Sequence, residues 1–178
     1  MIRRSTASVS YQSLRLPAGL LLAACAPAFA ENAAACESLA GRHFGAAQVI
    51  ASEVVAPGAF SVPAHTRNAA ATNERLRTLR SFCRVQVVAS PVADSSIGIE
   101  VWLPEADWNG MLLAVGNGGW AGSISYSALA EAIGDGYAAA STDTGHVGGN
   151  VEFAIGHPEK LVDFAHRAVH EMSLAAKA

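Results

Sequence analysis

Two apolar runs that each end in a glycine-rich loop constrain this chain most. Residues 111–115 are continuously apolar, as in a strand buried on both faces, and lead into GNGGWAG at residues 116–122. A helix is predicted for residues 126–133, followed by a second buried strand at 137–141 and a polar, glycine-rich loop at 142–149. A strand, a helix and a strand in this order predict parallel strands joined by a crossover helix.

An antiparallel hairpin is predicted ahead of this unit. Residues 85–89 are rich in β-formers, residues 91–96 have turn composition, and residues 97–103 alternate with period two until Pro104. The alternation places Ile97, Ile99, Val101 and Leu103 on one face. The fold class is therefore predicted to be α/β, with the hairpin leading into parallel strands and crossover helices.

The section before the hairpin, residues 31–82, is predicted to be irregular. It contains a helical turn near Cys36, a strand at residues 48–55, and a loop at residues 56–73 that is marked by proline and glycine. At the other end of the chain, Pro158 is expected to open a helix.

The first 30 residues are predicted to be an export signal. A basic start precedes a short apolar run at residues 16–24, and Ala28-Phe29-Ala30 forms a cleavage site. Alternatively, Leu22-Ala23-Ala24-Cys25 is a lipobox and Cys25 is acylated. We therefore expect a secreted or periplasmic protein, or one anchored by lipid to a bacterial outer membrane. A buried N-terminal helix is the remaining alternative, and no other stretch is expected to span a membrane.

The net charge indicates which class of partner is excluded, and the cysteines bear on the compartment of the chain. The formal net charge is −3, and removing residues 1–30, with three arginines and no acid, makes it −6. An acidic chain without a basic patch argues against a nucleic-acid partner. Outside the cytosol, Cys36 and Cys83 are predicted to form a disulfide, which the chain-entropy model values at about 3–4 kcal/mol. Two free buried thiols are the alternative.

The loop at residues 116–122 has three interpretations. Its backbone N–H groups can bind a developing oxyanion, as the loop after the third strand does in α/β hydrolases. It can instead bind a pyrophosphate, because Gly116-x-Gly118-x-x-Ala121 matches a dinucleotide motif and Asp143 follows about 20 residues later. An exported oxidoreductase is thus an alternative, although Trp120 and a late helix start count against it. A tight turn without a ligand is the third interpretation.

The other polar candidates favour structural roles. Asp143, Thr144 and His146 share the loop at residues 142–149, where the favoured interpretation is that Asp143 accepts hydrogen bonds from loop N–H groups and the same network holds His146. His166 and His170 have a metal-ligand spacing, but no acid or cysteine completes a site, so no metal is predicted.

No serine lies in the Gly-x-Ser-x-Gly pattern of a hydrolase nucleophile. The chain is therefore predicted to lack the catalytic triad. A non-catalytic binding module ending at residue 178 is a further alternative.

Ordered motifs along most of residues 36–178 resemble the tannase and feruloyl esterase family. They are CRV at 83–85, IEVWLP at 99–104, WNG at 108–110, VGNGGWAG at 115–122, GYAAASTDTGH at 136–146, FAIGHPEK at 153–160 and DFAHRAVHE at 163–171.

The resemblance implies a secreted serine esterase that acts on aromatic esters such as galloyl or feruloyl esters. It implies an α/β-hydrolase core with a lid domain that can hold Ca²⁺, an oxyanion-hole N–H from Gly118 or Gly119, and a disulfide between Cys36 and Cys83. By this comparison residues 83–178 are the N-terminal portion of the core, and the nucleophile elbow and the lid are missing. The chain is accordingly expected to be an inactive fragment without a cofactor of its own.

Overall fold

The computed structural model describes residues 26–66 and 68–178. The candidate lipidation site Cys25 and most of the expected export signal lie outside the described residues. The elements in chain order are α1 (Ala26–Glu37), β1 (His43–Phe44), β2 (Ala47–Val55), α2 (Ala69–Leu76), β3 (Phe82–Ala89), β4 (Ile97–Pro104), β5 (Leu112–Val115), α3 (Tyr126–Gly134), β6 (Ala138–Thr142), a 3₁₀ helix (Val151–Ala154), α4 (Pro158–Val162), a π-helical turn (Asp163–Arg167) and α5 (Ala168–Ala175).

The strands form a mixed sheet in the order β1-β2-β3-β4-β6-β5. The predicted hairpin is confirmed, because β3 and β4 pair antiparallel along their full lengths, from Phe82 opposite Pro104 to Ala89 opposite Ile97. The predicted parallel pair is also confirmed, with Leu112 opposite Ala138 and α3 as the crossover between β5 and β6. β6 pairs antiparallel with β4 and so occupies the middle of the α/β region.

The prediction that residues 111–115 are buried on both faces is wrong. β5 lies at the edge of the described sheet, and Leu113 is 41% exposed. In the described sheet β6 lies between β4 and β5, so β5 has one neighbouring strand, and all four of its residues are exposed or only partly buried. All five residues of β6 are buried, as predicted for that strand.

The prediction of a loop throughout residues 56–73 is also wrong, because α2 begins at Ala69. The proline and glycine residues all precede it, and Asn68 turns the chain in the left-handed region with φ 59°. Three consecutive alanines then favour a helix, and Leu76 anchors it in the core. Asn73 Oδ1 accepts a hydrogen bond from the Val62 N–H at 2.8 Å, which fastens the preceding segment to α2.

Two apolar cores cover opposite faces of the sheet. The alternation predicted for β4 is confirmed, since Ile97, Ile99 and Val101 lie in the first core with Met172 of α5. Trp102 belongs to the second core, so the opposite face of β4 is buried as well. The first core also contains the predicted disulfide, which is confirmed: Cys36 at the end of α1 is bonded to Cys83 in β3, with the Cα atoms 5.8 Å apart.

A buried ion pair lies within the second core. The Glu100 carboxylate accepts hydrogen bonds from Arg84 Nε at 2.9 Å and Arg84 Nη2 at 2.6 Å. It also accepts from Trp102 Nε1 at 2.9 Å and from the Tyr126 hydroxyl at 3.0 Å. The guanidinium lies over the Phe60 ring, 5.0 Å from its centroid. Each carboxylate oxygen therefore accepts two hydrogen bonds, which compensate for the burial of the charge.

Within the described part of the chain, no helix is long and apolar enough to cross a membrane.

Candidate active site

The two glycine-rich loops meet at the carboxyl ends of the parallel strands β5 and β6. This edge is where α/β sheets place their ligands. A two-way backbone contact joins the loops, with the Gly122 N–H donating to Gly148 O at 2.7 Å and the Gly148 N–H donating to Gly122 O at 3.3 Å. Gly122 has no room for a side chain, because a Cβ would lie 2.5 Å from the His146 ring.

Asn117 organises the loop after β5 from within. Its Nδ2 group donates to the carbonyl oxygens of Ala121 at 2.9 Å, Thr142 at 3.0 Å and Ser123 at 3.1 Å. The side chain therefore closes its own loop and ties it to the end of β6. Asn117 Oδ1 is buried and has no hydrogen-bond partner among the described residues.

Gly118 and Gly119, the predicted oxyanion-hole residues, are exposed at the tip of this loop. Gly119 has φ 58°, a conformation that favours glycine. The Ala121 N–H donates to Gly118 O at 3.2 Å and closes a tight turn. Across residues 26–66 and 68–178, the N–H groups of Gly118 and Gly119 donate to no protein acceptor. Two free donors at this edge fit an anion site, and the assignment of the oxyanion role stays a prediction.

Asp143 holds the base of the second loop, as the favoured interpretation predicted. Its Oδ1 accepts from the Gly145 N–H at 2.8 Å and from the Gly98 N–H at 2.9 Å. Burial raises the pKa of Asp143 to about 6, although these two N–H groups and the nearby His146 and Lys160 act to lower it. The carboxylate fastens the loop to the start of β4.

His146 is held by the same loop network, again as predicted. It is 6% exposed, and Nε2 lies 3.0 Å from Trp120 O while Nδ1 lies 3.2 Å from Thr144 Oγ1. A carbonyl oxygen only accepts, so Nε2 carries a proton and donates to Trp120 O. Thr144 itself has φ 60°, a strained conformation for a β-branched residue. With both nitrogens engaged, His146 is placed to hold the loops.

An aromatic cluster covers this junction. The His146 ring stacks on Phe153 with centroids 3.7 Å apart, and Trp120 stacks on Phe164 at 4.8 Å. Trp120 remains 41% exposed beside Gly118 and Gly119. The loop tip thus presents two free N–H groups next to an aromatic surface.

A second buried network, which the sequence analysis did not identify, seats the last helix against the site. Asp163 is fully buried in the π-helical turn, and its Oδ1 accepts from Arg167 Nη1 at 2.8 Å and from Ser95 Oγ at 2.9 Å. Arg167 also contacts Glu159 at 2.7 Å. A Cβ on Gly145 would lie 3.0 Å from Asp163 Cβ, so the helix packs closely on the second loop. The four-residue spacing between Asp163 and Arg167 could have indicated this ion pair, because residues i and i+4 are neighbours on a helix.

The comparisons with known proteins agree with this geometry. The family model described as "Tannase and feruloyl esterase" matches residues 83–178, more than half of the chain. The chain belongs to the tannase and feruloyl esterase family.

Relatives in this family include bacterial and fungal proteins. The chain is 39% identical over 142 residues to a protein of Xanthomonas campestris pv. campestris described as an uncharacterized esterase, covering 79% of this chain and 23% of that protein. It is 37% identical over 111 residues to a probable feruloyl esterase B of Aspergillus clavatus, covering 62% of this chain and 20% of that protein. The chain thus spans about a quarter or less of the length of these curated relatives.

Solved structures show the same fold. The crystal structure of feruloyl esterase B from Aspergillus oryzae matches with a TM-score of 0.69 and 31% identity over 82% of this chain and 28% of that chain. Tannin acyl hydrolase from Aspergillus niger matches with a TM-score of 0.54 and 24% identity over 83% of this chain and 27% of that chain, a likeness of fold. The family membership and the α/β-hydrolase fold expected from the motifs are confirmed.

The structure conflicts with the alternative interpretation that the loop at residues 116–122 binds a dinucleotide. A pyrophosphate loop must open directly into a helix N-terminus, but α3 begins at Tyr126, beyond the loop tip. The Asp143 carboxylate, which would bind a ribose, is engaged by two backbone N–H groups instead.

The two histidines with a metal-ligand spacing lie in the π-helical turn and in α5. His166 and His170 are both exposed. In the described ranges, no group of three or more His, Cys, Asp or Glu residues is arranged to hold a metal ion.

Proposed function

We propose that this chain is the N-terminal part of an exported carboxylic ester hydrolase that cleaves aromatic esters by serine acyl transfer. The observation that carries the proposal is the free N–H pair of Gly118 and Gly119, held at the carboxyl edge of the sheet in a tannase-family fold. Family membership supports ester hydrolysis. The acyl-transfer chemistry and the substrate class belong to the proposal.

In this mechanism the loop tip stabilises charge. A serine hydroxyl attacks the ester carbonyl, a histidine takes its proton, and the carbonyl oxygen becomes an oxyanion that accepts hydrogen bonds from Gly118 or Gly119. Removal of one such donor typically lowers kcat by about 10²–10³. The chain contains no Gly-x-Ser-x-Gly pattern, so the proposal assigns the nucleophile to residues outside it. The acid and the base are assigned there too, because they follow the nucleophile in the chain order of α/β hydrolases. We expect the 178-residue chain alone to hydrolyse no ester.

An aromatic substrate is supported by two observations. Relatives carry the names feruloyl esterase and tannin acyl hydrolase. In this chain Trp120 exposes part of its indole beside the free N–H groups, and its stacking on Phe164 fixes the ring. An aromatic acyl group bound at the oxyanion site would find an apolar, planar neighbour there.

Export is supported by the signal pattern at residues 1–30 and by the disulfide between Cys36 and Cys83. A periplasmic or secreted protein follows from cleavage after Ala30, and an anchored one from acylation of Cys25. Ca²⁺ in a lid domain outside this chain is part of the same proposal.

The first test is to sequence the transcript past codon 178 and to express the full-length protein. The proposal expects a Gly-x-Ser-x-Gly elbow within a few tens of residues, and hydrolysis of methyl ferulate or methyl gallate that a serine-directed inhibitor abolishes. A confirmed stop codon, or hydrolysis that resists the inhibitor, would overturn the proposal.

A matched pair of variants tests the oxyanion assignment. Gly119→Ala strains a backbone with φ 58°, whereas Gly118 has no such φ and, like Gly119, open space around a built Cβ. We expect Gly119→Ala to lower kcat and Gly118→Ala to retain most of it. Equal kcat in the two variants contradicts the assignment of the Gly119 N–H.

A further inference from the structure

We propose that His146 is a positioning residue that aims the Gly119 N–H outward through two peptide groups, an inference that rests on the proposed function above. His146 shares its loop with Asp143 and Thr144, and both of its ring nitrogens are engaged in the loops. Its effect on the reaction is therefore indirect.

The first link is the peptide group between Trp120 and Ala121. His146 Nε2 donates to Trp120 O at 3.0 Å, and stacking on Phe153 keeps the ring in place. In a trans peptide the C=O and N–H bonds point in opposite directions. Holding Trp120 O toward His146 therefore directs the Ala121 N–H back into the turn.

The second link is the peptide group between Gly118 and Gly119. The Ala121 N–H donates to Gly118 O at 3.2 Å, so this carbonyl points into the turn. The Gly119 N–H belongs to the same planar group and is directed the other way, where it has no protein acceptor among the described residues. Two peptide groups thus link the orientation of this donor to the His146 ring.

The protonation state of His146 does not alter this chain of contacts. In the neutral ring, Nε2 donates to Trp120 O and Nδ1 accepts from the Thr144 hydroxyl; in the charged ring, both nitrogens donate. The bond to Trp120 O is present in both forms. The role requires only a donor at the Nε2 position.

Two substitutions in the full-length protein separate the donor from the ring. His146→Gln places an amide nitrogen the same number of bonds from Cβ as Nε2 and retains the donor. His146→Phe retains an aromatic ring against Phe153 and removes the donor. We expect His146→Phe to lower kcat for methyl ferulate by about 10- to 100-fold, with KM within about threefold of wild type, because a small misplacement of a catalytic group costs about that much. His146→Gln should stay within about threefold of wild-type kcat.

Hydrogen exchange gives a readout that does not depend on activity. In His146→Phe the peptide containing Ala121 should exchange faster, whereas in His146→Gln it should match wild type. Wild-type kcat in His146→Phe, or an equal loss in folded His146→Gln, would overturn the inference. If His146→Phe does not fold, His146→Met replaces it. If neither variant folds while His146→Gln does, the hydrogen bond from His146 to Trp120 O serves stability, and the inference is also overturned. If the wild-type protein shows no inhibitor-sensitive ester hydrolysis, the proposed function is refuted. The exchange rate of the peptide containing Ala121 then still tests whether His146 orders the loop.

Discussion

Removing Glu100 should destabilise the protein far more than removing the other carboxylate that contacts the same arginine. Glu100 is 4% exposed and accepts four hydrogen bonds. In Glu100→Ala the Arg84 side chain, 15% exposed, keeps only Glu53 at 3.5 Å among the described residues. Breaking a buried pair by removing one partner costs about 3–5 kcal/mol. We therefore expect the free energy of unfolding to fall by about 4 kcal/mol.

Urea unfolding followed by tryptophan fluorescence measures this difference. With a slope of about 2 kcal/mol per molar urea, the midpoint of Glu100→Ala should drop by about 2 M. Glu53→Ala is the matched control, because its side chain is 61% exposed and a surface pair contributes about 0–1 kcal/mol. The midpoint of Glu53→Ala should therefore fall by at most about 0.5 M.

A double variant separates the lost charge from the lost volume. Glu100→Leu leaves the guanidinium uncompensated, whereas Glu100→Leu with Arg84→Met removes both charges and keeps apolar volume. Replacement of a buried pair by apolar residues is often neutral or stabilising, so the double variant should be more stable than Glu100→Leu. The reasoning fails if Glu100→Ala unfolds within about 1 kcal/mol of wild type, or if Arg84→Met gives Glu100→Leu no recovery.

Three further predictions concern other parts of the fold. Asp143→Asn keeps an oxygen that accepts from both N–H groups. In the wild type the pKa of Asp143 is raised from 3.8 to about 6, so folding favours the protonated acid. The free energy of unfolding should therefore be highest below about pH 4 and fall by on the order of 3 kcal/mol as the pH rises to about 6. The urea midpoint of Asp143→Asn should lack this decline. Replacing Cys36 and Cys83 by serine should lower the free energy of unfolding by about 4 kcal/mol, measured by urea titration. Gly122→Ala, whose Cβ would lie 2.5 Å from a backbone oxygen, should melt below Gly149→Ala, which has open space.

Periodicity and glycine placement were sufficient to predict the β3–β4 hairpin and the parallel β5–β6 pair. Both features follow from contacts between residues close in sequence. The edge position of β5 could not be predicted in this way, because an apolar run is the same whether its strand has one neighbour or two. The strand order depends on how β6 pairs with β4, about 40 residues earlier in the chain.

The candidate site was predicted only in part. Glycine pairs around polar residues indicated a loop of fixed shape, and Asp143 and His146 hold it as expected. Asn117 was missed because a lone asparagine between glycines has the same pattern in any turn. The contact between Ser95 and Asp163 joins residues 68 positions apart, and no local pattern records such a pair.

The loop after β5 combines carbonyl oxygens that side chains satisfy with N–H groups at its tip that have no acceptor among the described residues. The side chains of Asn117 and His146 donate to the carbonyl oxygens of residues 120, 121 and 123, so these oxygens point into the protein. Within the part of the chain that the structure describes, the N–H groups of Gly118 and Gly119 at the exposed tip have no such partners. A loop that relied on its own N–H groups to satisfy its carbonyls would have none left for a ligand. Donating side chains, rather than the glycines alone, therefore fix the loop in the shape that the proposed oxyanion site requires.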